Sequence, residues 1–174
     1  RHPFIFYVGH LPAFSFNQIC GGILHWPSFH SYFDDLFCRG IDPDVDTGEC
    51  HWHPEVPEQW PSIAETFVYR DKVRGAILDS VEALGYCHSD DIMARGGRVL
   101  QMVLEHEYMH QETLLYMMQQ LSVRQKIRPR TPVKYFFQPI RVSDAVRIPE
   151  GRARVGARFD DLNFGWDNEF EQVV

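Results

Sequence analysis

The stretch from residue 98 to residue 121 constrains this chain most, because its apolar period is helical and two of its inward positions are histidine. Val99, Val103, His106, His110, Leu114, Met117 and Leu121 recur at spacings of three and four, the mark of a buried helical stripe. The helix starts near Ser89 or Asp90, or just after Gly96-Gly97, and runs to about Ser122. Four helical residues advance about 400°, so His106 and His110 project within about 40° of each other, one turn apart. A lone core histidine is usually a hydrogen-bonded packing residue. Two on one stripe at this spacing can share one ion, and nine histidines among 174 residues agree with metal chemistry.

The rest of the chain predicts three more helices. In residues 3–20, Phe6, His10 and Phe14 fall at i, i+4 and i+8, which places His10 on a buried aromatic face, with Pro12 expected to kink the helix or to lie near its first turn. Residues 29–38 suit a short second helix. Ser62 and Glu65 form a capping-box signature ahead of a third, with Gly85 as its stop. Its expected stripe is Ile63, Phe67, Ile77, Val81 and Leu84, and Arg70 and Arg74 share that stripe, which requires either a polar interior or a solvated face.

Between the second and third helices, residues 39–61 are rich in Pro, Gly and acid, and read as a long loop. Asp42, Asp44 and Asp46 imitate a calcium loop, but Thr47 and His53 stand where glycine and glutamate are needed. Cys50, His51 and His53 are too close in sequence to converge on one ion and read as solvated. Beyond residue 128 a basic, proline-containing linker leads to VRIPEGRARVGARF, expected as two short strands around Glu150-Gly151.

A net charge of −7, with no long basic run, argues against nucleic acid as a partner. No apolar stretch approaches the roughly 20 residues that span a bilayer. Cys20, Cys38, Cys50 and Cys87 form no C-x-x-C pair and fit reduced thiols in the cytoplasm. The opening on Arg1 suggests a piece of a longer chain.

H-E-x-x-H also occurs in zinc proteases, where the glutamate is the base and a third ligand follows downstream. Here no histidine follows His110, and Glu112 points to another face. His10 is the natural third ligand if the first and fourth helices pack together. Three imidazoles from a bundle leave coordination positions open, and Glu107 then supports the site rather than acting as a base.

GHLPAF around His10, HEYMHQETLLYM around His106 and the terminal FGWDNE, in this order, resemble the ergothioneine-type sulfoxide synthases. These are non-haem iron enzymes that couple a histidine derivative to a thiol with dioxygen. RGIDPDVD and HPEVPEQWP look most like the fungal version, in which a methyltransferase precedes this region in the same chain. The resemblance implies a mainly α fold: a DinB-like four-helix bundle over residues 1–128, a linker over 129–141, and over 142–174 the truncated start of an α+β domain of the formylglycine-generating-enzyme type. It implies Fe(2+) held by His10, His106 and His110, with trimethylhistidine, a thiol such as cysteine or γ-glutamylcysteine, and dioxygen as small-molecule substrates.

The resemblance further implies that Arg70 anchors the thiol substrate's carboxylate. Met109 stands where some members carry a polar residue near the substrate, and Glu107 is a supporting carboxylate. The family's catalytic tyrosine lies beyond Val174, so the piece is expected to hold the iron ligands without turning over. Two other functions share these histidines: a zinc hydrolase or thiol transferase, and a bundle that the metal merely stabilises.

Overall fold

Helices form where the sequence carries helical apolar periods, and most of the described backbone is helical, so the fold is mainly α. The computed structural model describes residues 2–38, 57–84, 90–128, 130–131, 145 and 147–173. Most of the acidic, proline-rich loop and the linker therefore lie outside the described residues. The chain divides into two compact units, Arg1–His110 and Gln111–Val174.

Helix α1 spans Phe4–Phe16 and continues through Pro12 in its interior. Proline there removes one backbone hydrogen bond, and the burial of Phe6, His10, Ala13 and Phe16 along the helix offsets that loss. The helix then widens into a π-helical segment, Asn17–Ile23, which the sequence pattern does not foretell. His25 ends it in the left-handed region (φ 54°).

Helix α2, Ser31–Phe37, is seven residues long, and the His30 ring caps it by accepting from the Phe33 amide at 3.2 Å. Helix α3, Ile63–Ala83, begins at the expected capping box. The Glu65 amide donates to Ser62 Oγ at 3.2 Å, and the Ser62 amide donates to Glu65 Oε2 at 2.9 Å. Helix α4, Arg98–Gln120, starts after the Gly96-Gly97 pair, both of whose φ angles are positive.

The expected face of α3 is corrected by the structure. Of the expected stripe Leu84 is buried and Ile77 half-buried, but Ile63, Phe67 and Val81 are exposed, whereas Thr66, Tyr69, Val73 and Ser80 are buried. The buried face is partly polar because its hydroxyls are satisfied locally. Thr66 donates to the Ser62 carbonyl at 2.9 Å, and Ser80 to the Ile77 carbonyl at 2.6 Å. Arg74 is exposed and Arg70 half-buried, so no charge enters the core on this helix.

Helix α1 packs against α2, α3 and the π-helical segment. The core of this unit includes Phe6, Phe16, Ile19, Phe33, Leu36, Phe37, Tyr69 and Val73, and each large apolar side chain so buried contributes about 1.5–3 kcal/mol.

In the second unit the two strands differ from those expected around Glu150-Gly151. Strand β1, Arg154–Val155, pairs antiparallel with β2, Gln172–Val173, instead. Gly156 follows β1 at φ 94°, and a β-carbon there would collide with the Phe170 carbonyl, which fixes the chain's turn out of β1. Among the described residues, no helix is long and apolar enough to cross a membrane.

Candidate metal centre

The three histidines predicted as ligands meet in the first unit. His10 comes from α1, and His106 and His110 come one turn apart from α4; all three are buried. His10 Nε2 lies 3.0 Å from His110 Nε2, which lies 3.1 Å from His106 Nε2. The ligand atoms of the trio all fall within 4.8 Å of one another.

Proton bookkeeping shows why these contacts suit a cation. The Phe37 carbonyl can only accept, so His10 Nδ1, 2.6 Å away, carries the proton and donates it. The neutral ring then has a bare Nε2. If His110 Nε2 carries a proton it can donate squarely along one of its two short contacts, not both, and offers no lone pair to the other. If it is bare, its lone pair faces that of His10 Nε2. A cation among three lone pairs removes the conflict. Two of the three nitrogen pairs, at 3.0 and 3.1 Å, are as close as donors that share one ion. His110 Nδ1 is buried without a hydrogen-bond partner among the described residues, so no competing contact defines that ring's tautomer.

The surroundings keep all three rings neutral, the state that ligates. Desolvation is the largest cause in each case. It lowers the His10 pKa from 6.5 to about 4, against the opposing Phe37 hydrogen bond and with help from His110. It lowers His106 to about 3, assisted by the charges of the other two rings, and it lowers His110 as well.

Aromatic rings from α1 supply much of that desolvation. Phe6 stacks on His10 at 4.8 Å, Phe14 stacks on His106 at 3.6 Å, and Tyr7 tilts against His110 at 5.6 Å. The i, i+4, i+8 pattern in α1 thus supplies a ligand and part of the wall around it.

The Phe37 carbonyl at the end of α2 was not foreseen, because a backbone acceptor has no signature in residue type. Helix ends do leave carbonyls unpaired, but which one meets His10 depends on packing. Gly9 decides that packing: a β-carbon there would lie 2.5 Å from the Phe37 ring.

Arg70 pairs with Asp71 at 2.7 Å and lies 4.3 Å over the Phe67 ring, both on its own helix. Glu107 and Met109 are exposed on α4.

A helical unit that gathers three buried neutral imidazoles belongs to the class of proteins able to hold a metal ion. No family model matches the chain. It is 36% identical over 184 aligned residues to ergothioneine biosynthesis protein 1 of Neurospora crassa, covering 97% of this chain and 20% of that protein. It is 37% identical over 119 residues to the protein of the same name in Schizosaccharomyces pombe, covering 67% of this chain and 15% of that one. The chain belongs to the ergothioneine biosynthesis protein 1 family, and spans a fifth or less of the length of these curated relatives.

Proposed function

We propose that this chain supplies the metal-holding domain of an iron(II)- and dioxygen-dependent sulfoxide synthase of ergothioneine biosynthesis. The reaction joins a thiol, cysteine or γ-glutamylcysteine, to the imidazole of trimethylhistidine. The observation that carries this reading is the convergence of three neutral imidazole nitrogens, in a chain similar over nearly its whole length to a protein named for ergothioneine biosynthesis. Iron(II) bound by His10, His106 and His110 would supply dioxygen activation, for which an all-imidazole set with open positions is suited.

The chain's own residues have separable tasks in this proposal. His10 keeps its proton on Nδ1, against Phe37, and so presents a bare Nε2. Phe6, Phe14 and Tyr7 limit water around the ligands. Arg70 exchanges its neighbour Asp71 for the carboxylate of the thiol substrate, Met109 borders the substrate, and Glu107 supports the site from α4. Residues 1–128 form the DinB-like domain, 129–141 the linker and 142–174 the start of the formylglycine-generating-enzyme-like domain. A methyltransferase domain in the same parent protein would supply the trimethylated substrate.

The test is oxygen uptake by the parent protein loaded with ferrous iron. Uptake that requires trimethylhistidine and thiol together is expected. Uptake independent of both, or activity restored by zinc and not by iron, would overturn the proposal; the zinc result would favour a hydrolase or thiol transferase.

A further inference from the structure

We infer that Tyr69 and Asp34 are positioning residues for the ligand His10, acting through the carboxyl end of α2. The inference rests on the metal-centre reading above and deepens it.

Asp34 is a carboxylate buried among aromatic rings, with both oxygens engaged. The Tyr69 hydroxyl donates to Oδ1 at 2.5 Å, and the Ser28 hydroxyl donates to Oδ2. A buried carboxylate costs more to desolvate than an apolar side chain of its size, so stability alone is a poor reason for it. What the arrangement does achieve is a directional link between two helices. Tyr69 reaches from α3 to α2, its ring 5.3 Å from Phe33 and stacked on Phe37 at 6.0 Å. Burial and the neighbouring carboxylate push the Tyr69 pKa up, so the hydroxyl remains a donor.

Asp34 and Phe37 stand three residues apart on α2, about one turn. Phe37 fills the notch left by Gly9, and its carbonyl takes the Nδ1 proton of His10. The path is continuous: Tyr69 hydroxyl, Asp34 carboxylate, one turn of α2, Phe37 carbonyl, His10 ring. A seven-residue helix has little stability of its own, so its final carbonyl stays where external contacts hold it. With the Asp34 contact weakened, that carbonyl drifts from His10. The His10 ring then becomes free to rotate and to move its proton to Nε2, the atom that must stay bare.

The experiment uses the full 174-residue chain with two readouts. Long-range 15N NMR of the metal-free protein reports the His10 tautomer, and absorbance titration with Co(2+) alone reports affinity. Native protein is expected to hold His10 as the Nδ1–H form. Tyr69→Phe, which retains the ring, is expected to give a mixture containing the Nε2–H form and to weaken Co(2+) about tenfold, the lower end of the range for outer ligand partners. Asp34→Asn retains an acceptor for Tyr69 and should lose less than Asp34→Ala; it carries the same readouts if Tyr69→Phe does not fold.

Ser80→Ala, which removes another buried hydroxyl on α3, should lower stability and leave tautomer and affinity unchanged. A native tautomer and native affinity in Tyr69→Phe would overturn the inference, as would an equal shift in Ser80→Ala. Failure of native protein to bind Co(2+) would instead refute the metal reading, and the metal-free tautomers would still decide between a positioning role and none.

Discussion

Helices α1 and α4 share the centre but hold their ligands in different ways. Helix α1 brings one histidine that is already fixed: its Nδ1 is hydrogen-bonded to Phe37, and Phe6 stacks on its face. Helix α4 brings two that helical spacing fixes relative to each other, and His110 Nδ1 has no hydrogen-bond partner among the described residues. The same helix leaves Leu104, Tyr108 and Met109 exposed. The difference teaches that one half of the site is preorganised by the fold, while the other gains most from the ion that all three rings would share.

Removing any one ligand should have the largest effect. His10→Ala, His106→Ala or His110→Ala is expected to weaken divalent-metal binding beyond the roughly 10- to 100-fold typical of losing an outer partner, as read by titration. Without metal the comparison sharpens. His10→Ala should cost about 1 kcal/mol more stability than His110→Ala in urea unfolding, the worth of the one hydrogen bond that His110 lacks at Nδ1.

Next in size is Gly9→Ala, which forces the Phe37 ring away from α1. Overpacking of this kind costs about 1–3 kcal/mol, and metal affinity should fall with it although no ligand is altered. Native stability in that variant would break the link between α2 and the α1 half of the site.

Hydrogen exchange should separate the two helices directly. Metal addition is expected to slow amide exchange more in residues 99–110 of α4 than in residues 5–16 of α1. Equal protection would mean that α4 is as preorganised as α1.

A pH dependence of the metal-free chain tests the burial of the rings themselves. Its buried histidines have pKa values depressed from 6.5, to about 4 for His10 and about 3 for His106. Between those values the unfolded chain binds more protons than the folded one, so stability is fully present above about pH 6.5. It declines as pH falls toward 4 and below. Denaturation midpoints measured across that window should move downward together with pH, and less so in His10→Ala.

How legible all this was in the sequence differs by residue. The His106–His110 pair could be read because helical geometry converts a spacing of four into a shared face. His10 could be read because it interrupts an aromatic stripe, and because GHLPAF carried a family likeness. The face of α3 could not, since Thr66 and Ser80 satisfy their hydroxyls on nearby carbonyls and so pass as surface residues while buried. The Phe37 carbonyl was invisible because any residue offers one. Asp34 and Tyr69, drawn together from positions 35 residues apart, carry no local pattern at all.

The central claim is that His10, His106 and His110 bind one ion together. X-ray absorption of the iron(II)-loaded chain tests it most directly, because multiple scattering from imidazole rings counts them around the metal. One ion per chain with three imidazoles, falling to two in His10→Ala, is the expected result. A spectrum that does not change when His10 is removed would contradict the claim and leave α1 outside the centre.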